Sequence, residues 1–319
     1  MEQRKRKERQ RQRKTIPTGL FLILAVIAMF SDPIASFRLT LSILTGLGVL
    51  VFLLRREAIF FVINTISFVL LFFPIAAATV FFPAPVERDN IVIMQQTMET
   101  FSGDFERTRE EIIKNKANIA VFSIGNLEEN MLVLMMDGVY ANKYMFENER
   151  VGKVFIFMDQ TPEIVKTLTI DDETKIGMDF SFKKEGQKYH VLITKMPSLM
   201  EKGGYQTTKI SIEKLMEYIH VQDTPFILAG DFTLPSYTRV MKPVRKEGFM
   251  TLLSPKLKLS YRLSAGETYV HPGFKLAKVR RGIRVGENLP KISVINFNFE
   301  TGEKEDTLAG SKNEEGKKE

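Results

Sequence analysis

The sequence predicts an α+β chain: a two-layer β-sandwich flanked by helices, preceded by three transmembrane helices. Three observations predict it. Apolar residues are segregated, since residues 16–82 are almost wholly apolar while 87–300 mix apolar runs with polar segments. Within 87–300, runs of strand length alternate with amphipathic helical stretches. The 319 residues include no Cys and three His, which excludes disulfides, thiolate zinc sites and a cysteine nucleophile. A mean hydropathy of −0.06 averages over the two regimes.

Charge is segregated as well. Residues 1–14 hold eight Lys/Arg against Glu2 and Glu8, and form a basic tail over 1–15. Arg38, Arg55 and Arg56 against Asp32 and Glu57 add +1 of the total +7, so everything after residue 82 is net neutral. The pI of 9.3 therefore does not mark a nucleic-acid-binding domain, and nucleic acid is not an expected partner.

The apolar region divides into three runs, about 16–37, 39–54 and 58–82. The first holds IPTGLFLILAVIAMF and meets Ser31-Asp32-Pro33. The second, LTLSILTGLGVLVFLL, lies between Arg38 and Arg55-Arg56-Glu57; the third ends at Pro83-Ala84-Pro85. A bilayer core needs roughly 20 helical residues. The third run meets this outright, and the first two need flanking residues. A buried soluble hairpin is the competing reading, against which stands the lack of any polar face. A cleaved signal peptide over 1–30 competes for the first run, against which stand the two later runs and a poor cleavage pattern. The basic residues place the N-terminus and Arg55-Arg56 in the cytoplasm and residues 83 onward outside it, in a multi-pass protein of the cell (inner) membrane. The basic tail serves as a topology signal or as a contact to anionic headgroups of the bilayer.

The globular region runs from 87 to 300. NIVIM (90–94) reads as a strand, a polar stretch with Phe101, Phe105 and Ile112 at helical spacing follows, and NIAVFSI (118–124) is a buried strand. MLVLMM (131–136) and VFIFM (154–158) are further apolar runs. Residues 175–182 alternate, with Ile176, Met178, Phe180 and Phe182 on one face. The turn Glu185-Gly186 leads to HVLIT (190–194), and Ile212, Leu215, Met216 and Ile219 mark an amphipathic helix. FILA (226–229) then ends in Gly230-Asp231-Phe232, and strands are expected near 268–274, 280–285 and 291–299. Residues 301–319 are Gly, Lys and Glu with few apolar residues, and read as a disordered tail. The body 87–300 is expected to fold without the spans. No P-loop, GxSxG or dinucleotide fingerprint occurs.

The segment PFILAGDFTLPSYTRVMKPVRKEGFM (225–250) resembles the best-known stretch of endonuclease/exonuclease/phosphatase domains, a DNase I-like fold. Other segments match in order. NIVIMQQTM (90–98) is similar to the opening strand, KANIAVFSIG (116–125) to the second, and YHVLITKMPS (189–198) to the strand that normally ends in Asn-Thr-His. TYVHPGF (268–274) and VGENLPKISVINF (285–297) resemble the last two. The resemblance covers essentially the whole globular part, and three spans before such a domain are also similar to many bacterial members. It implies a Mg²⁺-dependent phosphoester hydrolase in which a Glu holds the metal, an Asp–His pair activates water, and a second His with Asn/Asp residues binds phosphate.

Most of those positions are altered here. The metal Glu aligns with Ile124, the first Asn with Gln96, the phosphate-binding His with Lys195, and the terminal Asp-His with Glu287-Asn288. Asp231 survives, with Thr233 in place of its Asn partner. The resemblance therefore implies Asp231 and Glu287 as catalytic remnants, Lys195, Thr233, Gln96, Asn288 and His271 as ligand-binding positions, and no metal. Asp231 could equally be a turn former. Of the other His, His190 reads as structural and His220 as a cation at a helix end. The leading reading is a catalytically degenerate, membrane-anchored binding or scaffold module without cofactor, whose partners are the bilayer and proteins or a phosphorylated ligand. The alternatives are an active phosphodiesterase or phosphatase using Mg²⁺, with Glu128 or Glu129 restoring the metal site, and a structural subunit of a membrane assembly.

Overall fold

A computed structural model describes residues 17–35, 37–88, 90–98, 105–124, 129–170, 174–197, 202–252, 267–282 and 290–297. The expected basic tail, the disordered tail, Glu128, Glu287 and Asn288 lie outside the described residues, as does the side chain of Glu129.

The apolar region forms α1 (Pro17–Phe30), α2 (Asp32–Ala35), α3 (Arg38–Leu54) and α4 (Ala58–Ala76). Among the described residues only α4, with 19 residues, is long and apolar enough to cross a membrane; α1 and α3 are shorter. The expected three full spans are corrected accordingly. Residues 31–37 do not lengthen α1, because Asp32-Pro33 starts a separate short helix. The third run stops helically at Ala76, short of residue 82, because Thr79–Val80 leaves as strand β1.

The α3–α4 hairpin is polar inside and apolar outside. Ser42, Thr45, Asn64 and Ser67 are buried, each donating to a carbonyl one turn back. A Cβ on Gly48 would meet Asn64 Oδ1 at 2.6 Å, so glycine sets the close approach of the two helices. Ile59, Val62, Ile66, Val69 and Phe73 point outward and are exposed.

Two sheets follow. The first is built from β2 (Asn90–Met98), β3 (Ile119–Ile124), β4 (Asn142–Asn148), β5 (Gly152–Met158), β12 (Phe274–Arg281) and β13 (Lys291–Phe297), in the order β12-β13-β2-β3-β5-β4. The second is β11-β9-β8-β7-β6, from β6 (Ile164–Thr169), β7 (Lys175–Lys184), β8 (Gln187–Lys195), β9 (Phe226–Asp231) and β11 (Glu267–Val270). A parallel pair stands inside each sheet: β2 and β3 joined through α5 (Phe105–Asn115), and β8 and β9 joined through α7 (Gly204–His220). The small β1 pairs in parallel with β10 (Thr251–Leu252).

Alternation assigns every side chain to a layer. Ile91, Ile93, Ile119, Val121, Met178, Phe180, Phe182, Val191, Ile193, Ile227 and Ala229 fill the space between the sheets. The opposite parity packs outward. Met94, Ala120, Phe122 and Ile124 lie in one layer with Ile112 of α5 and Leu132 of α6 (Glu129–Met136). Leu192, Phe226 and Leu228 lie in the other with Ile212, Leu215, Met216 and Ile219 of α7 and Val244 of α8 (Lys242–Lys246). Each fully buried aliphatic or aromatic side chain contributes roughly 1.5–3 kcal/mol.

The two apolar runs of similar look part company. MLVLMM becomes α6 because unbranched Met and Leu suit a helix, whereas VFIFM becomes β5 because branched and aromatic residues suit a strand. The strand expected at 268–274 splits into β11 and the start of β12 around a turn at 271–273; of that expected at 280–285, Arg280 and Arg281 end β12 and residues 283–285 lie outside the described residues. The body also starts earlier than residue 87: β1 belongs to it, Ala84 N–H donates to Leu276 O, and Asn296 donates to Pro85 O.

Helices and body are welded together. Buried Arg38 donates to Tyr237 O at 2.7 Å and to Ala28 O at 2.6 Å. Asp32 accepts from Tyr205 OH at 2.8 Å and from the backbone N–H of Arg239. Ile75 and Ala78 pack on Tyr237. The apolar helices thus dock on the 231–241 segment that follows β9.

Candidate functional site

The C-terminal ends of the two inner parallel pairs meet at one end of the sandwich. Gln95, near the end of β2, donates to Thr268 Oγ1 at 2.8 Å and to Glu267 O at 3.2 Å across the gap between the sheets. Glu267 is paired in register with Gly230, so Asp231 stands beside this junction. Open α/β sheets place ligands at such strand ends.

The residues that face inward there follow from parity. Lys195 and Asp231 are direct neighbours on the parallel β8–β9 ladder and share the parity of Ile193 and Ala229, which fill the inter-sheet core. Ser293 Oγ lies 2.8 Å from Thr268 Oγ1. Lys291 Nζ lies 3.6 Å from Glu267 Oε1, and both side chains are largely covered, at 17% and 15% exposed. Thr251 donates to Glu267 Oε2 at a long 3.5 Å. Gln95 Oε1 is buried and has no hydrogen-bond partner among the described residues.

Asp231 is held by its own turn. Its Oδ1 accepts the Thr233 backbone N–H at 3.0 Å, and Thr233 sits at φ 56°, in the left-handed region. Its carbonyl accepts Met196 N–H at 2.7 Å. Phe232 turns away to stack edge-on against Tyr269, 4.9 Å between ring centres. The segment beyond is tied down by Arg245, which donates to Ser236 O and, at 2.7 Å, to Thr238 O. Burial pushes the Arg245 pKa down. Burial and the nearby Glu267 push the Tyr269 phenol well up, so it stays a neutral hydroxyl.

The structure places Asp231, Lys195 and Thr233 side by side. It does not bring Gln96 with them. Gln96 shares the parity of Met94 and lies on the helix side, and its neighbour Gln95 takes the inward place. Ile124 likewise packs under α6, while Ser123 has the inward parity of Val121. His271 is also misplaced by the sequence reading. Strand β11 runs antiparallel to β9, so His271 N–H meets Phe226 O at the far end, roughly 16 Å from Asp231 at about 3.3 Å per residue.

Sequence reasoning missed Gln95, Glu267, Thr268, Lys291 and Ser293. The available signal was a charged residue opening each of two otherwise buried strands, ETYV and KISV. Among the described residues no group of three or more His, Asp or Glu could hold a metal ion.

The remaining histidines are structural. His190 Nδ1 lies 2.7 Å from Asp179 Oδ2, which also accepts Tyr218 OH at 2.7 Å beneath α7. His220 faces Glu247 at 3.4 Å at the end of α7. His271 packs edge-on against Phe249, and burial pushes its pKa down, with Glu247 acting in the opposite sense. The unfolded chain therefore takes this proton first. Stability is expected to fall as pH drops below about 6.5, the ordinary histidine value. Thermal midpoints between pH 7 and 5 should show a shallower decline for His271→Phe; an unchanged slope would remove His271 from the account.

No family model matches the chain, and no curated protein matches it. Solved structures do. An endonuclease/exonuclease/phosphatase family protein from Bacteroides thetaiotaomicron is 11% identical, covers 66% of this chain and 99% of its own, and has a TM-score of 0.48. An endonuclease/exonuclease/phosphatase from Beutenbergia cavernae DSM 12333 is 11% identical over 66% of this chain and 72% of its own, with a TM-score of 0.49. The human Nocturnin catalytic domain, solved with a bound sulfate anion, is 12% identical over 66% and 96%, with a TM-score of 0.48.

Proposed function

We propose that the chain is a membrane-anchored module on a phosphoesterase-like scaffold that binds a phosphorylated ligand or a protein and does not hydrolyse phosphoesters. The observation that carries this reading is the composition of the strand-end site. Its described polar residues are Gln95, Lys195, Asp231, Glu267, Thr268, Lys291 and Ser293, with Lys291 beside Glu267. Two ammonium groups can meet phosphate oxygens as point charges. Lysine and a serine–threonine pair supply no general base near neutral pH, and of the two carboxylates Glu267 is paired with Lys291 while Asp231 accepts from its own turn, so neither is set to take a proton from water.

Asp231 bound to its own turn reads as a turn former first, with any role toward a ligand second. The runner-up reading, a Mg²⁺-dependent hydrolase, needs carboxylates from Glu128, Glu129 or Glu287. A purified full-length chain is expected to show no Mg²⁺-dependent cleavage of a generic phosphodiester above background. Without a positioned base the rate falls about 10²–10⁴-fold, and without the metal further. Cleavage that needs Mg²⁺ and disappears in Asp231→Ala would establish the hydrolase instead.

Membrane anchoring is supported by α4 and by the inverted hairpin, whose polar groups face inward and whose exposed surface is apolar. Arg55 and Arg56 lie at the hairpin tip, at the opposite end from the globular body. This fits a cytoplasmic tip and an extracytoplasmic body. In this reading α1 and α3 complete a multi-pass anchor as shorter or tilted companions of α4. Accessibility of a cysteine placed in the 183–188 turn, probed on intact cells, tests the orientation; labelling only after lysis would reverse it.

A further inference from the structure

We propose that a basic groove between α7 and α8 binds the phosphate headgroup of an anionic lipid in the leaflet that the globular body faces; this rests on the membrane reading of α4. The groove encloses about 320 Å³. Lys209, Arg239, Lys242 and Lys246 line it against only Glu213 and Glu247. The acids are partly engaged, Glu213 with Lys209 at 3.9 Å and Glu247 with His220 at 3.4 Å. The cation excess stands out in a globular region that is net neutral.

Position selects the ligand. Arg239 forms one wall, and its guanidinium donates to Phe30 O, the last carbonyl of α1, at 3.2 Å. Its backbone N–H donates to Asp32, and Tyr237, two residues earlier, packs on Ile75 and Ala78 at the end of α4. The groove is thus anchored at the body end of the apolar helices. Phe30 and Phe82, 70% and 90% exposed, lie at the same end, where the apolar surface stops. Headgroup phosphates sit at that level, just outside the hydrocarbon. Arg offers a planar fork of donors and Lys mobile point charges to phosphate oxygens, and the volume suits a headgroup.

The test uses the full chain in nanodiscs of phosphatidylcholine with or without phosphatidylglycerol. Retained lipid is read by native mass spectrometry and stability by the thermal midpoint. Preferential retention of phosphatidylglycerol is expected, with a raised midpoint. The exposed pair Lys242→Ala/Lys246→Ala should weaken the retention roughly ten- to thirtyfold. The control Lys183→Ala/Lys188→Ala, at the far end of the sandwich, should not change it. A second arm adds inorganic phosphate to phosphatidylcholine discs. If phosphate alone reproduces the midpoint shift, the groove takes a free anion and the lipid proposal falls. Incorporation into discs with no phosphatidylglycerol preference, or with equal preference in the groove variant, overturns the proposal and leaves the membrane reading standing. Failure to enter discs at all overturns both.

Discussion

Gly230→Ala is expected to abolish the folded globular body. Gly230 sits at φ 150°, and a Cβ there would lie 1.7 Å from the Thr194 carbonyl oxygen of the neighbouring strand. That oxygen belongs to the parallel β8–β9 ladder, in which Thr194 and Gly230 are direct partners, so neither strand can retreat without breaking the sheet. A clash of this kind costs more than about 4 kcal/mol, a large part of the 5–15 kcal/mol that typically holds a domain together. The control is Gly186→Ala in the β7–β8 turn, where φ is 86° and no atom lies within 4 Å of the added Cβ. There only the left-handed backbone is disfavoured, by about 1–2 kcal/mol. Circular dichroism and limited proteolysis should find Gly230→Ala unfolded and Gly186→Ala folded. A Gly230→Ala variant with a near-native melting point would refute the close approach of β8 and β9.

Arg38→Ala is expected to uncouple the apolar helices from the body. The side chain is buried and donates two charge-assisted hydrogen bonds, to Tyr237 O and Ala28 O. Each is worth about 1.5–3 kcal/mol, and both carbonyls lose their partner on truncation. Arg38→Lys should recover only part, because one ammonium replaces a fork that reaches two carbonyls. The readout is amide exchange across 232–241 in the full-length chain, which should accelerate strongly in Arg38→Ala and modestly in Arg38→Lys. Unaltered exchange would show that the weld rests on Asp32 and the Ile75–Tyr237 contact instead. By the same logic a body cut at residue 87 loses β1 and every contact to Arg38 and Asp32, so it should be less stable than the intact chain.

Layering was legible in the sequence because alternation is a strong signal. Ile176, Met178, Phe180 and Phe182 share a buried face, and Ile212, Leu215, Met216 and Ile219 do cover the second sheet. The site was legible only where a local turn carried it, at Gly230-Asp231 and its ladder neighbour Lys195. A shift of one residue inverts a strand's faces, which is why Gln96 was read for Gln95 and why Ile124 proved to lie under a helix. Strand direction misled at His271, since nothing local says that β11 runs antiparallel to β9. Each of Lys291 and Glu267 shows as a charge opening a buried strand, but they sit in different sheets, so nothing local says that they pair. The docking of Arg38 on Tyr237, 199 residues away, was equally hidden.

Only Ala77 and Ala78 separate the end of α4 from the first residue of β1. Two residues, even fully extended, span about 7 Å. If α4 crosses a bilayer, the body has almost no tether and cannot rise from the surface or swing far to one side. Its ligands would then be sorted by height. A molecule lying in the membrane plane needs only lateral diffusion to arrive, whereas a soluble protein must descend to the headgroups to be met.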